Sequence, residues 1–359
     1  MELGLVGPAP PWGGGIAAFT SALAGALGDV RLVRWISWRP PRHLPPGTHL
    51  DPHASPCERA EPTLELYDRA SWARAGRRLG PCTAIVLTLS HPALFVPYRS
   101  LVAAYRKLGG RVVLLCHNVV AHERHPGLRT LARRVLRLAD ALVVHSAAEA
   151  DLARDLAPGV PVFQGFHPVY TDHVEQSWPE RPGHGRLLAF GYVRPYKGVA
   201  DLVAAMPQVP GATLEVVGRF HEPVARYARL VSRHGVGDRV SLADGYVPEH
   251  EVREVFARAD VVVAPYRQAS QSGVVHLALS LGRPVVATAV GGLTEAVSHG
   301  ETGLLAPPGD AGALAGAIRE ALAAPPASFD AGIRRVVAAR GWEDYSRLVL
   351  RAAAGEESP

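Results

Sequence analysis

The stretch RLLAFGYVRPYKGVADLVAAM, residues 186–206, decides the fold. It opens with a short apolar run, turns at Gly191, passes through a loop with two cations, and enters a helix near Gly198. A strand that is apolar throughout, rather than alternating, belongs in a parallel sheet covered on both faces, and a parallel strand needs a crossover helix. The same unit recurs downstream. Strands are expected at TLEVVGR (213–219), VSLADGYV (240–247), DVVVAPY (260–266), PVVATAV (284–290) and TGLLAPP (302–308), with helices at 223–234 and 249–257 among those between them.

Upstream the pattern is similar. Strands are expected at ELGLVG (2–7), VRLVRWIS (30–37), AIVLTLS (84–90), RVVLLCH (111–117) and ALVVHS (141–146), with helices at 15–27, 95–108, 126–138 and 147–155. The Pro-rich, polar segment 39–62 reads as a long surface loop, and DHVEQSWPERPGHG (172–185) has the composition of a linker. Two consecutive βα series predict an α/β protein of two doubly wound, Rossmann-like domains facing across a cleft, at 1–171 and 186–341. The end of the chain, 342–359, is expected to form a helix returning to the first domain. Ligands of such folds bind at the carboxyl ends of the strands.

The chain has 359 residues, enough for two cores of ordinary size, so neither disulfides nor a structural metal are needed. With hydrophobic residues at 48% and charged residues at 20%, a disordered chain is excluded. Three scattered cysteines, with no CxxC pair, point to a reducing compartment. The opening MELGLVG lacks the basic and apolar segments of a secretion signal, and no run approaches the roughly 18 apolar residues of a membrane span, so a cytoplasmic location is expected. The net charge of +5 suits anionic partners. No nucleic-acid recognition motif accompanies it, so nucleic acid is not an expected partner.

Lysine occurs only at Lys107 and Lys197, so 36 of the 38 basic side chains are arginine. Lys197 therefore stands out as a place for a compact ammonium, and with Arg194 it puts two cations at a strand end beside a helix start, which suits a diphosphate. A second anion site is expected where strand 260–266 runs into Ser270, Gln271, Ser272, Gly273 and Val274. There, hydroxyl, amide and backbone N–H donors meet a helix N-terminus carrying about half a positive charge. Gly291 and Gly292 make a tight turn before Glu295. In the first domain, Gly13, Gly14 and Gly15 open a helix after the first strand, without the GxGxxG spacing of a dinucleotide site. His117 ends a strand beside Asn118. His122 and Glu123 follow without completing a metal-ligand set, so no metal and no cofactor are expected. The helix 126–138 carries Arg129, Arg133 and Arg137 on one face, a pattern that suits contact with an anionic membrane.

Taken in order, GYVRPYKG (191–198), GYV (245–247), ADVVVAPY (259–266), QSGVVHLALSLGRPVVATAVGGLTE (271–295) and GETGLLAPPGD (300–310) resemble glycosyltransferase family 4, of the GT-B fold. PPWGGGIAAF (10–19), CHNVVAHE (116–123) and ADALVVHS (139–146) resemble it too, and the likeness covers roughly residues 1–345. It implies a metal-independent, retaining glycosyltransferase with a nucleotide-diphosphate sugar as donor. The acceptor would be a saccharide, a lipid-linked saccharide or a small molecule. It implies Lys197 and Arg194 on the diphosphate and His117 facing the transferred sugar. Gly14, Gly15, Gly191, Gly198, Val247, Ser270, Gln271, Ser272, Gly273, Val274 and Glu295 would line the substrate. Two features depart from the family pattern. Tyr192 stands where an arginine usually follows the strand-ending glycine, and Ala269 and Leu277 stand where a pair of glutamates is usual, as in a QSG branch of the family. Two other readings share the architecture. One is a sugar-nucleotide 2-epimerase, which would need paired carboxylates. The other is a non-catalytic subunit that binds a nucleotide or carbohydrate, which the missing glutamates favour.

Overall fold

The computed structural model describes residues 1–40, 50–51, 54–120, 126–170 and 178–358. The chain divides into two compact units: Met1–Phe166 with Trp342–Pro359, and His167–Gly341. Residues 167–171, expected in the first domain, thus fall with the second.

The first unit is a seven-stranded, wholly parallel sheet of β1 (Leu3–Val6), β2 (Leu32–Trp38), β3 (Ala60–Leu64), β4 (Ala84–Leu89), β5 (Arg111–Cys116), β6 (Ala141–Val144) and β7 (Val162–Gln164). Its strand order is β3-β2-β1-β4-β5-β6-β7. Alternate side chains feed two cores. Leu3, Leu5, Val86 and Leu115 pack with Phe19 of α1 (Gly15–Arg31) and with Tyr345 and Val349 of α13 (Trp342–Ala354). Val6, Leu87 and Leu114 pack on the other face, with Trp72 of α2 (Arg69–Arg78), Tyr98 of α3 (Phe95–Arg106), Val135 of α4 (Leu128–Leu136) and Ala153 of α5 (Ala147–Leu156). Burying a side chain such as Val349 stabilises by roughly 2 kcal/mol, which is what returns the chain end to this sheet.

The second unit is a six-stranded parallel sheet of β8 (Arg186–Phe190), β9 (Thr213–Gly218), β10 (Val240–Asp244), β11 (Val261–Ala264), β12 (Val285–Thr288) and β13 (Gly303–Ala306), in the order β10-β9-β8-β11-β12-β13. Its helices are α6 (Val199–Ala205), α7 (Val224–Arg233), α8 (Glu249–Ala257), α9 (Gly273–Ser280), α10 (Leu293–Ala296), α11 (Ala311–Ala323) and α12 (Asp330–Ala339). In each sheet the order reverses at one point, between β1 and β4 and between β8 and β11. The loops after those strands flank the crevice where doubly wound folds take ligands.

Three elements depart from the sequence-based expectation. AEPTL (β3) begins within the stretch read as a loop and runs two residues past its end, VFQ (β7) is only three residues long, and α2 was not expected. Residues 41–49 and 52–53 of that loop lie outside the described residues, as do residue 171 and 172–177 of the expected linker. Residues 178–185 are not a free tether. Trp178 Nε1 donates to Ser280 O at 3.1 Å, and the backbone N–H groups of Gly183, His184 and Arg186 all donate to the Asp260 carboxylate. The apolar pattern could not show this, because the contacts are made by one aromatic ring and by backbone donors.

Candidate functional site

In the second unit, backbone geometry brings the two cation-bearing loops together. Gly191 ends β8 at φ 91°. Its carbonyl approaches Gly218 so closely that a Cβ there would lie 2.1 Å from it. Lys197 closes a 3₁₀ turn, Pro195–Lys197, and Gly198 follows at φ 66°. A Cβ on Gly198 would lie 1.8 Å from the Pro265 carbonyl oxygen, so only glycine lets the loop after β8 seat against the loop after β11. One side-chain contact and one backbone hydrogen bond lock that seat. The Arg267 guanidinium grips both oxygens of Asp201 at 2.8 and 2.6 Å, and Arg267 N–H donates to Tyr196 O at 2.7 Å.

Across that seam runs a short relay. Lys197 Nζ donates to Tyr266 Oη at 2.7 Å and lies 4.0 Å from the centre of its ring. Tyr266 Oη is 3.1 Å from Ser272 Oγ, and Ser272 Oγ caps α9 by accepting from Val275 N–H at 3.4 Å. The phenol oxygen accepts from the ammonium and shares a second hydrogen bond with Ser272 Oγ, in which either hydroxyl can donate. Two ammonium protons and the first N–H groups of α9, at Gly273 and Val274, are left without acceptors among the described residues, with the Ser272 hydroxyl beside them. No acidic side chain lies in the first turn of α9. A fixed cation, a hydroxyl and a helix N-terminus converge at one point, which is the chemistry of a phosphate cradle.

The neighbouring residues shape its walls. A Cβ on Gly191 would lie 3.3 Å from Val274 Cγ2, so the strand-ending glycine faces the start of α9. Ser270 is buried and its carbonyl accepts from Gly292 N–H at 3.1 Å. Gly291 sits at φ 46°, where a Cβ would lie 1.7 Å from Ala269 O, and a Cβ on Gly292 would lie 2.3 Å from Gln271 Nε2. The glycine pair thus lets its turn nest beneath 269–271. Gln271 Oε1 is 3.2 Å from His276 Nε2, and because an amide oxygen only accepts, that bond puts the His276 proton on Nε2. His276 stacks on His167, with ring centres 4.5 Å apart and planes 3° off parallel. Burial pushes His167 down to about 4, so this ring is neutral at physiological pH.

The remaining expected residues sit further out. Arg194 precedes the 3₁₀ turn, close enough to Tyr192 to act on its phenol. Burial raises the Tyr192 pKa, and Arg219 more than Arg194 pulls it back. Val247 is half-buried against the apolar cluster of Phe256 and Val275. Glu295 lies in α10, directly after the glycine turn and beside Arg340, whose Nη2 donates to Glu295 O at 2.5 Å. Sequence reading missed Tyr266, the centre of the relay, and Arg219. The one signal for Arg219 is its place immediately after Gly218 at a strand end.

In the first unit, Gly14 is the N-cap of α1 at φ 96°, with no side-chain cap, and a Cβ on Gly15 would meet nothing within 4 Å. The helix start is therefore open. His117 follows β5, and its ring stands edge-on to Phe19 of α1 at 4.7 Å. Its backbone N–H donates to Leu89 O at 2.8 Å. Two residues on, Val119 N–H donates to the buried Glu149 carboxylate at 2.6 Å. Desolvation raises the Glu149 pKa to about 7 against the lowering effect of that bond. His145 is structural: its Nε2 lies 2.7 Å from the buried Tyr345 Oη. His122 and Glu123 lie outside the described residues.

The architecture is that of GT-B proteins. Sucrose-phosphate synthase from Thermosynechococcus elongatus aligns with a TM-score of 0.75 over 98% of this chain and 97% of its own, at 23% identity. The Anabaena protein HepE, in complex with UDP, aligns with a TM-score of 0.76 over 99% and 100%, at 16% identity. Residues 184–324, which hold the relay, match the family described as Glycosyl transferases group 1. More particularly, the chain is 38% identical over 226 residues to a GDP-mannose:glycolipid 4-beta-D-mannosyltransferase of Xanthomonas campestris pv. campestris, covering 60% of this chain and 62% of that protein. It is 29% identical over 248 residues to a glycogen synthase of Mycobacterium tuberculosis, covering 63% and 57%. The chain thus spans less than two thirds of the length of these curated relatives.

Proposed function

We propose that this protein is a glycosyltransferase of family 4, in its QSG branch, moving a sugar from a nucleotide-diphosphate sugar to a hydroxyl acceptor in the synthesis of a glycan, polysaccharide or glycolipid. The observation that carries the reading is the Lys197–Tyr266–Ser272 relay at the start of α9. Breaking the sugar–phosphate bond leaves negative charge on the diphosphate. Lys197, the Ser272 hydroxyl and the Gly273 and Val274 amides would meet that charge as it develops, without reorganising. Arg194 would add a second cation, and Gly191 would let the backbone approach the ligand. Gln271, its amide oriented by His276, and Glu295 would line the sugar or ribose, with Ser270, Val247 and Gly198 holding the walls. His117 and the open start of α1 at Gly14 and Gly15 would serve the acceptor side.

The transfer is proposed to be metal-independent and retaining, with the acceptor attacking on the face the leaving phosphate vacates. A 4-β-mannoside made from α-linked GDP-mannose would be the opposite stereochemical outcome, so the anomeric configuration of the product decides the point. The acceptor class is a saccharide, free or lipid-linked, or a small molecule. The location is cytoplasmic, with peripheral contact to an anionic membrane. No described helix is long and apolar enough to cross one.

The test is incubation with UDP-, GDP-, dTDP- and ADP-sugars, preceded by a thermal-shift panel of the free nucleotides. Free nucleoside diphosphate together with a glycosylated acceptor supports transfer. Ala269 and Leu277, apolar where the resemblance implies glutamates, favour one other reading, a binding subunit without turnover. Saturable nucleotide binding with no diphosphate release would establish that reading instead.

A further inference from the structure

The charge of this chain is not spread evenly. The first unit holds 21 basic and 16 acidic residues and the second 17 of each, so the whole excess of +5 lies on the first. Within it the imbalance is concentrated further. From Arg69 to Ala139 the sequence has thirteen basic residues and a single acidic one, Glu123.

That stretch folds into α2, α3 and α4, which lie side by side over one face of the first sheet. Their apolar sides, Trp72, Leu101 and Val135 among them, share one core. The α2 and α3 backbones touch, since a Cβ on Gly76 would lie 2.3 Å from Leu101 O. The basic side chains are consequently turned outward together. Arg74, Arg78, Arg106 and Arg129 are answered by acids from outside the stretch, Asp68, Glu61, Asp140 and Asp155. Arg69 and Arg77 on α2, Arg99 and Lys107 on and after α3, and Arg133, Arg134 and Arg137 on or after α4 are exposed, with no acidic partner among the described residues. Like charges at this density repel one another in solution, a cost that an anionic partner removes.

The same layer exposes apolar side chains, three of them gathered at one end and Leu108, 52% exposed, at the other. Trp72 pairs with Tyr98 at 5.7 Å, and Leu108 meets the position of Gly80, so α2 and α3 run in the same direction with their N-termini together. At that end Tyr67 is 90% exposed and Leu66 46%, just before α2, and Val96 is 44% exposed in the first turn of α3. A soluble polyanion would use the cations and leave these side chains in water. A lipid surface uses both, with the aromatic ring at headgroup depth and the guanidinium groups on phosphates.

We propose that the α2–α4 layer of the first unit is a docking surface for an anionic lipid bilayer, with Tyr67, Leu66 and Val96 as its interfacial anchors. The proposal rests on the peripheral-contact part of the functional reading and is independent of sugar transfer. The experiment is co-sedimentation of the full chain with vesicles of phosphatidylglycerol and phosphatidylcholine, and with phosphatidylcholine alone, at low and high salt. Binding to the anionic vesicles at low salt and its loss at high salt are expected. The triple variant Arg77→Gln/Arg133→Gln/Arg137→Gln should bind on the order of 100-fold more weakly, from about fivefold per charge. Tyr67→Ala should weaken binding without altering its salt dependence. A matched control on the second unit, Arg186→Gln/Arg229→Gln/Arg233→Gln, should bind like the wild type, and circular dichroism should show all variants folded.

Wild-type protein that ignores anionic vesicles at low salt overturns the membrane contact itself, and so does retention on heparin without vesicle binding. Equal losses in the two triple variants overturn the assignment to this layer. Diphosphate release with a water-soluble acceptor, measured on the same samples, reports the transferase reading separately. Its failure with vesicle binding intact refutes only that reading.

Discussion

Replacing Lys197 by alanine isolates the charge at the centre of the relay. In the native protein its ammonium donates to Tyr266 Oη at 2.7 Å and sits 4.0 Å from the ring centre, on a half-buried side chain. Folding should suffer little: solvent screens part of the lost contact, and Tyr266 keeps Ser272 at 3.1 Å, so a loss of about 1 kcal/mol or less is expected. Catalysis should suffer far more. A unit charge about 4 Å from a phosphate oxygen is worth up to about 4 kcal/mol at an effective dielectric of about 20. Removing one preorganised donor from a developing anion costs about 2.7–4 kcal/mol, or 10²–10³ in turnover. Diphosphate release at saturating donor, and in a single turnover, should therefore fall on the order of 10²–10³-fold in Lys197→Ala and in Lys197→Met. Nucleotide affinity should lose much of its salt dependence. A kcat within about threefold of wild type, with donor bound, would refute the assignment of the leaving group to this site.

Other perturbations follow from the same geometry. Tyr266→Phe keeps the ring under the ammonium but removes the oxygen between Lys197 and Ser272, so turnover should drop roughly tenfold with the nucleotide still bound, as read by kcat against Kd. Gly198→Ala forces a Cβ to within 1.8 Å of Pro265 O at φ 66° and should lower the thermal midpoint by several degrees, whereas Gly15→Ala, which meets nothing within 4 Å, should leave it nearly unchanged. Tyr345→Phe strips the buried His145 of its 2.7 Å partner and should cost about 1–3 kcal/mol in chemical denaturation without changing the donor KM. Glu149 makes a pH prediction. Its pKa rises from 4.5 to about 7 on folding, so the folded state holds a proton that the unfolded state has released between those values. Stability from this group is complete below 4.5 and is lost as pH rises through 7, a change of at most about 3 kcal/mol. Glu149→Gln should gain on wild type between pH 5 and pH 8 in thermal melts; a difference that stays flat would show the carboxyl already ionised.

Much of the fold was legible because β strands such as AIVLTL and RVVLLC are near-continuous apolar runs rather than alternating ones, the pattern of a doubly covered parallel sheet. The edge strands β3 and β7 were not, because an edge needs no such run: β3 reads AEPTL, with exposed or half-buried positions between its ends. Helix α2 escaped for a related reason, since RASWARAGRR carries one large apolar residue and nests through Gly76 rather than through a hydrophobic stripe. Lys197 and the QSG turn could be singled out from composition and from their place between strand and helix. The hydroxyl that joins them could not, because Tyr266 stands 69 positions from Lys197 and reads, in PY, as the ordinary end of a strand.

Residue order alone determined the two βα series, the uneven charge and which segments end in glycine. Those are properties of hydrophobic period, composition and backbone freedom, all local to the chain. Folding decided which of the many cations face a helix start. In the second sheet the strand order reverses between β8 and β11, and that reversal sets the loops after these two strands side by side. A Coulomb interaction acts through distance in space, and the 2.7 and 3.1 Å contacts that focus Lys197 onto α9 exist only once that reversal has been made.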